Sequence, residues 1–152
     1  MLSADERAAW GGLRYVHTTL VRQLDTDLQS AHGVSLLAYE VLLLLWRAAD
    51  RRLALADLAA LAVLSLSGMS HLADRLERAR LVLRQPSATD RRQTYAVLTA
   101  EGLALIRAAH RTHRESIRRA FLDRLSPAQI TALGHCWEQI RPGAQSAMRR
   151  KA

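Results

Sequence analysis

The chain has 152 residues, one cysteine and a formal net charge of +8, and all but one of its 22 lysine and arginine residues are arginine. This length suits one domain with an ordinary hydrophobic core, while a single cysteine excludes an intrachain disulfide framework and fits a reducing compartment. The charge predicts an anionic partner, and nucleic acid is favoured over a membrane because arginine pairs bidentately with phosphate and guanine. A generally basic, solvated surface would give the same total charge.

No targeting or membrane-spanning segment is expected. The N-terminal stretch 3–6 is acidic and lacks the basic-then-apolar order of a signal peptide. The most apolar run, 36–46, is too short to cross a bilayer and contains Glu40. We therefore expect a cytoplasmic protein, associated with the nucleoid if nucleic acid is its partner, and no membrane contact.

Two helices are predicted at the start of the chain. Ser3 and Glu6 form a capping box, and leucines and valines at spacings of three and four predict an amphipathic helix that ends near Gly33. Ser35 is a suitable N-cap for a second helix that is apolar on nearly all sides and therefore central to the core. The first helix is long for a domain of this size, so we expect it to pack partly on another subunit.

The next stretch has the outline of a helix-turn-helix. Residues 51–53 are interpreted as a short polar break, 55–61 as a brief third helix, and Ser65 as the N-cap of a fourth helix that reaches about Ala79. One side of the fourth helix is apolar and is predicted to face the core, with Leu66, Met69, Leu72, Ala73 and Leu76. The other side is small, polar and basic, as in helices that contact base edges, and its candidate DNA-binding residues are Ser65, Ser67, Gly68, Ser70, His71, Arg75 and Arg78.

A basic hairpin is predicted to follow. Strands are expected at 81–84 and 94–98, joined by a loop over 85–92 that contains Asp90, Arg91 and Arg92. Such a wing places arginine at its tip, where a narrow minor groove attracts it. Asp90 is predicted to hold the guanidinium of Arg92 in position by a bidentate pair.

Two further helices are predicted at the end. Thr99 caps a fifth helix whose apolar stripe of Leu103, Ile106, Ile117 and Phe121 also contains His110 and His113. These two imidazoles could bind a metal, titrate near neutral pH, line an effector pocket or simply pack at a subunit interface. Ser126 and Pro127 start a sixth helix that should continue toward Arg149 and intertwine with its copy in a second subunit.

The motifs together resemble the MarR family of winged helix-turn-helix transcriptional regulators. The resemblance is carried by Leu58-Ala59, the run 65–70, Asp74-Arg75-Leu76-Glu77, Leu81-Val82, Asp90-Arg91-Arg92 and Leu98-Thr99-Ala100-Glu101-Gly102. It implies a mainly α fold with a small β-wing, in one domain over 1–152, with a winged-helix lobe at about 36–98 and dimerisation helices at about 3–32 and 99–148. Two departures stand out: Arg80 occupies a position that is usually glycine in the family, and His71 one that is often arginine.

The resemblance also implies how such a protein works. A homodimer would place its two recognition helices in successive major grooves of a pseudopalindromic double-stranded DNA operator, with Arg92 in the minor groove and Asp90 orienting it. A repressor would be released by a small phenolic or otherwise aromatic, anionic effector bound between the dimerisation helices and the lobe. Candidate pocket residues are Trp10, Arg14, His17, Tyr39, Trp46 and Arg47, although ordinary packing would also explain each of them.

Several other functions are less consistent with these motifs. No nucleophile with a base, carboxylate pair, complete metal set or glycine-rich phosphate loop occurs at a telling spacing, so we expect neither an enzyme nor a cofactor. Peroxide sensing is not expected because Cys136 lies in the last helix. The alternatives that remain are a zinc-responsive regulator that uses His17, His32, His110 and His113, and a nucleoid-type protein that binds DNA without sequence preference.

Overall fold

Helices dominate the described residues, which are 1–87, 90 and 93–140 of a computed structural model. The α-helices are α1 (Ala4–His32), α2 (Leu36–Arg47), α3 (Leu55–Leu61), α4 (Leu66–Arg78), α5 (Ala100–Ala120) and α6 (Pro127–Ile140). The strands are β1 (Arg52–Ala54), β2 (Val82–Pro86) and β3 (Thr94–Leu98). The mainly α fold with a small β-wing is thereby confirmed.

The helix starts lie where their capping residues predict them. Ser3 and Glu6 form the reciprocal capping box of α1, and Ser35 accepts a hydrogen bond from the backbone N–H of Ala38 at the start of α2. At the start of α6, the side chain of Gln129 accepts from the N–H of Ser126 while the Ser126 hydroxyl accepts from the N–H of Gln129. Each cap satisfies backbone donors that the first turn leaves without a partner.

The sheet has three antiparallel strands in the order β1-β3-β2. The interpretation of 51–53 as a polar break was wrong, because Arg52–Ala54 pairs with Tyr95–Val97. The guanidinium of Arg52 also lies over the ring of Tyr95, 3.8 Å from its centroid, which is a cation–π contact. The first strand of the hairpin was predicted at 81–84, whereas β2 begins at Val82 and continues to Pro86.

The core of the lobe forms between α2, α3, α4 and the start of the sheet. Leu42 and Leu45 of α2, Leu58 of α3 and Met69 of α4 are all completely buried, and Ile106 of α5 joins them. α5 therefore belongs to the same core as the lobe although it extends well beyond it.

α1 is attached to α5 through a polar cluster around Asp27. Its carboxylate accepts hydrogen bonds from the Ser116 hydroxyl at 2.5 Å, from Arg119 at 2.7 Å and from Gln23 at 2.8 Å. The hydrogen bond from Ser116, chiefly, lowers the pKa of Asp27. A second link joins Nε2 of His32 to the Thr112 hydroxyl at 2.8 Å.

Much apolar surface at the two ends of the chain is left open in the protomer. In the first half of α1, Trp10 is 57% exposed and Tyr15 is 72% exposed, and α6 has no buried residue in its described span. α5 ends at Ala120, so Phe121 follows the helix instead of extending its apolar stripe. The predicted continuation of α6 toward Arg149 lies outside the described residues.

Within the described ranges, no single helix combines the length and the apolar character needed to span a membrane. Two bent pairs of consecutive helices, α1 with α2 and α3 with α4, meet that requirement only when their lengths are added.

Candidate nucleic-acid interface

α4 separates an apolar face from a polar one. Met69, Leu72, Ala73 and Leu76 are buried as predicted. Among the candidate DNA-binding residues, five are exposed and two, Gly68 and Ser70, are half-buried; the exposed ones are Ser65, Ser67, His71, Arg75 and Arg78. Leu66 was predicted to face the core and does not, because it is 59% exposed in the first turn, beyond the edge of the core.

Ser65 organises the N-terminal turn of α4. Its hydroxyl accepts a hydrogen bond from the N–H of Gly68 at 3.1 Å and lies 3.1 Å from the Ser67 hydroxyl. A Cβ at Gly68 would lie 3.1 Å from the Ser65 oxygen, which is tighter than ordinary contact. The small residues Ser65, Ser67 and Gly68 thus keep the cap intact and add little bulk beside the exposed Leu66.

Arg84 of β2 fastens the wing to α4. Its guanidinium donates to the carboxylate of Asp74 and, at 3.1 Å, to the hydroxyl of Ser70, while its backbone N–H donates to Glu77 at 3.0 Å. Because the Ser70 oxygen accepts from Arg84, the Ser70 hydrogen remains free to donate to an acceptor on another molecule. Arg84 shows no local sequence pattern that would predict this role, since its contacts join a strand to a helix.

The turn between α3 and α4 has an unusual backbone. The N–H of Leu64 donates to the carbonyl of Ala59 at 2.8 Å and that of Val63 to Ala60 at 3.4 Å, which is the Schellman pattern of a helix C-terminus. Val63 has φ +55° at the position that glycine normally fills, and its side chain is 91% exposed. A branched side chain in this left-handed conformation costs free energy.

The C-terminus of α4 has the same Schellman hydrogen-bond pattern. The N–H groups of Arg80 and Leu81 donate to the carbonyls of Glu77 and Leu76 at 2.8 and 2.9 Å, and Arg80 has φ +60°. Arg80, which the sequence comparison placed where glycine is usual, therefore has a left-handed conformation.

Thr99 and Gly102 join the start of α5 to this turn. The Thr99 hydroxyl lies 2.7 Å from the carbonyl oxygen of Arg80, to which it donates, and accepts from the N–H of Gly102 at 2.9 Å. A Cβ at Gly102 would lie only 2.1 Å from the carbonyl oxygen of Leu81. Glycine is therefore required here by the close approach of two backbones.

The base of the wing loop is tied by hydrogen bonds. The N–H of Ser87 donates to the carbonyl of Gln93 at 2.9 Å, and the N–H of Gln93 donates to the carbonyl of Asp90 at 3.0 Å. The side chain of Gln93 accepts from the Tyr95 hydroxyl at 2.9 Å. Asp90 is exposed, whereas Arg91 and Arg92 lie outside the described residues, so their roles and the proposed Asp90–Arg92 pair stay predictions.

A groove separates α4 from the wing, and we call it the helix–wing groove. Its volume is about 400 Å³. Its lining combines apolar, hydroxyl and charged groups: Leu55, Ala56, Leu66, Ser70, Arg84, Asp90, Gln93 and Thr94. The Arg84 contacts set its width, because they fix the strand on one side to the helix on the other.

The six candidate pocket residues fall in different places. Tyr39 is buried and Trp46 half-buried, and both pack on His110, whose Nδ1 lies 2.8 Å from the Tyr39 hydroxyl. Arg14 lines a groove on α1 together with Tyr15, while His17 lines another of about 600 Å³ between α1 and α2. Trp10 and Arg47 are exposed.

Two of the histidines named for a zinc site, His110 and His113, lie next to each other on Tyr39. His110 contacts Tyr39, His32 contacts Thr112, and the ring of His113 packs 4.4 Å from that of Tyr39. Throughout the part of the chain that the structure describes, no group of three or more histidine, cysteine, aspartate or glutamate side chains is arranged to hold a metal ion.

Comparisons with known proteins agree on one family. The sequence model described as the MarR family matches residues 32–93. AbsC, a MarR family transcriptional regulator from Streptomyces coelicolor, is 34% identical with a TM-score of 0.84, over 98% of this chain and 97% of that one. Another MarR family regulator from Streptomyces coelicolor, solved in complex with DNA, is 33% identical with a TM-score of 0.85, over 93% and 95%.

A more distant structure shares the fold. BpsR of Bordetella bronchiseptica, whose DNA binding is regulated by 6-hydroxynicotinic acid, is 18% identical with a TM-score of 0.76, over 92% of this chain and 96% of that one. No curated protein matches the chain significantly by sequence.

Proposed function

The chain belongs to the MarR family of transcriptional regulators, and from this premise we propose that it binds a specific double-stranded DNA operator as a homodimer and represses transcription there. The observation that carries the proposal is the exposed face of α4, where hydroxyl groups and arginines project from a helix whose opposite side is locked into the core. Hydroxyls and guanidinium groups are donors for base edges and phosphates in a major groove.

The polar residues of α4 divide into two roles. Ser67, Ser70 and His71 lie in the first half of the helix, where a recognition helix approaches the bases. Arg75 and Arg78 lie toward its C-terminus and are assigned to phosphates, which fix position without reading sequence. In the wing, Arg92 is assigned to the minor groove with Asp90 as its orienting partner.

Open apolar surface supports the homodimer. Trp10 and Tyr15 on α1, and Ile140 and Trp137 on α6, are between 37% and 72% exposed in the protomer. A second copy that covers both helices would bury these side chains, as obligate dimers of helical proteins do. Light scattering coupled to size exclusion should give twice the protomer mass, and a mass of 17.0 kDa would overturn the dimer.

The DNA experiment separates specific from sequence-blind binding. Duplexes are selected from a random pool by the full chain, and their affinity is measured by fluorescence anisotropy at moderate salt with excess random competitor. We expect a selected duplex to survive the competitor and a footprint of two half-sites about one helical turn apart. Equal loss on all sequences would indicate a nucleoid-type protein that binds through counterion release alone.

An effector site is proposed in the groove between α1 and α2. Val21, Leu36 and Leu37 supply apolar walls, His17 and Arg22 supply donors, and the carboxyl groups of Asp25 and Glu40 also line the groove. Asp25 already accepts a hydrogen bond from the N–H of Leu36, and burial raises the pKa of Glu40. The donors and the apolar walls suit a small aromatic acid. With 6-hydroxynicotinate as a probe, the wild type should release its operator and the His17→Ala variant should respond less, whereas Thr19→Ala, which changes only the neighbouring groove, should respond normally. An unaltered response of His17→Ala, or none from the wild type, would contradict this site.

A further inference from the structure

Three apolar side chains are exposed around the turn that precedes α4. Leu61 is 43% exposed, Val63 is 91% exposed and Leu66 is 59% exposed. All three lie within six residues of each other, beside the helix assigned to DNA. Single exposed apolar residues are common, but a cluster of them next to a binding surface indicates a contact.

Leu66 differs from the other two in its position. It is the first residue of α4, it stands between the exposed Ser65 and Ser67, and it lines the helix–wing groove together with Ser70 and Arg84. Leu61 and Val63 are not part of that lining. Leu66 therefore lies on the same surface as the polar side chains that are proposed to contact bases.

The charges around Leu66 indicate which class of molecule contacts it. The guanidinium of Arg84 lines the groove, where it is paired with Asp74, and the exposed Arg75 and Arg78 continue the basic surface along α4. An apolar protein partner would supply no counter-charge to Arg75 and Arg78, whereas a nucleic-acid duplex supplies phosphates on both sides of its groove. Among the four bases, thymine is the one that presents a methyl group in the major groove, its C5-methyl.

We infer that Leu66 is a specificity-determining residue that reads the C5-methyl group of a thymine in the operator. The inference rests on the proposed function, because it needs the first turn of α4 to enter the major groove. The leucine excludes water from the methyl group, while the Ser70 hydroxyl, which accepts from Arg84, donates to a neighbouring base acceptor. Specificity at this base pair then comes from apolar contact, which a hydroxyl or guanidinium cannot supply.

The test removes one methyl group at a time. In a duplex selected from a random pool by the full-length wild type, each thymidine of a half-site is replaced in turn by deoxyuridine, in both half-sites, so that base pairing is unchanged. Dissociation constants are measured for the wild type, for Leu66→Ala and for the matched control Leu61→Ala. Thermal unfolding and affinity for random duplex check that the two variants keep the fold and the phosphate contacts.

We expect one position at which deoxyuridine weakens the wild type and Leu61→Ala by about fourfold per half-site, the effect of one buried methyl group, and leaves Leu66→Ala unaffected. The inference is overturned if each replacement has the same effect on all three proteins, or if the selected half-site contains no thymine. A pool that yields no preferred duplex contradicts the proposed function itself, and this result is distinct from the other two.

Discussion

The hydroxyl of Tyr39 on α2 lies 2.8 Å from Nδ1 of His110 on α5, and the Tyr39 ring packs against that of His113 with 4.4 Å between their centroids. Burial raises the pKa of Tyr39 and lowers the pKa of both histidines, and the Arg47 and Arg114 charges lower that of His110 further. At neutral pH the phenol therefore donates to an uncharged imidazole. This contact joins the lobe to the long helix.

The two histidines should make the protein less stable in mild acid. Because their pKa is lower in the folded state, the unfolded chain binds more protons, and the free energy of unfolding should fall as the pH drops below about 6.5 and level off beneath the folded pKa. Urea unfolding from pH 7.5 to 5 at fixed protein concentration measures this. The double variant His110→Asn/His113→Phe should flatten the curve, and an unchanged slope would contradict the prediction.

Asp27 should affect the stability of the fold in a separate pH range, more acidic than that of the histidines. Its pKa is lowered in the folded state, so the stability it supplies is present above its unfolded pKa of about 3.9 and lost as the pH falls through the folded value. Asp27→Asn should therefore lower the free energy of unfolding at neutral pH. The variant should still lose stability between pH 7 and 5, because that loss depends on the histidines. If that loss disappeared in Asp27→Asn, the two effects would not be independent.

Gly102→Ala should destabilise the fold by about 2 to 4 kcal/mol, because a Cβ 2.1 Å from the Leu81 carbonyl forces α5 away from the α4–β2 turn. Gly134→Ala is the matched control, since a Cβ there has no atom within 4 Å in the protomer, and it should be neutral or slightly stabilising. Thermal or denaturant unfolding distinguishes the two. Equal behaviour of both variants would refute the close approach.

Arg80→Gly should stabilise the chain by about 1 kcal/mol, because it relieves the left-handed conformation of a residue with a Cβ. Arg80→Ala keeps that strain and removes the same side chain, so it should give no such gain in denaturant unfolding. A gain in both variants would point to the charge of Arg80 instead of its backbone.

Arg84→Lys should weaken operator binding more than it weakens folding. An ammonium reaches Asp74 or Ser70 but cannot fork to both, so the wing loses its fixed position on α4. The Arg84 and Asp74 side chains are 26% and 42% exposed, so the loss of folding free energy should stay below about 1 kcal/mol. Arg118→Lys, which alters the exposed pair of Arg118 on α5 with Asp123 in the following turn, should leave both measurements unchanged.

Arg92→Ala should weaken operator binding by about 1 to 3 kcal/mol and leave the proposed dimer intact, because it removes the guanidinium that we assign to the minor groove and changes no buried residue of the described core. Fluorescence anisotropy measures the affinity for the operator, and light scattering measures the mass of the assembly. Arg111→Ala, an exposed arginine of α5, serves as the control. Unchanged affinity of Arg92→Ala would remove this side chain from the interface.

Local signals account for what the sequence predicted correctly. Ser35, Ser65 and Thr99 cap their helices within three residues of the N–H groups they accept from, so each helix start can be found without knowledge of the fold. The apolar face of α4 is equally local, because it depends only on the helical repeat.

The features that sequence analysis missed depend on distant parts of the chain. β1 spans three residues and becomes a strand only because β3, some forty residues later, pairs with it. Arg84 looks like any basic residue until β2 places it beside Asp74 and Ser70. Leu66 follows the apolar repeat of α4, yet it is exposed because the core does not extend to the first turn.

Thr99 and Gly102 fix the start of α5 to the turn after α4, so a small tilt of α5 at this end produces a larger displacement at its other end. Its first turn is fixed to the end of α4, its last turns are held by Asp27 of α1, and its 21 residues span about 30 Å. A tilt of about 5° therefore displaces its far end by about 3 Å relative to the winged-helix lobe. In the proposed homodimer, a shift of α1 against the second copy would therefore reach the end of α4 through this one helix.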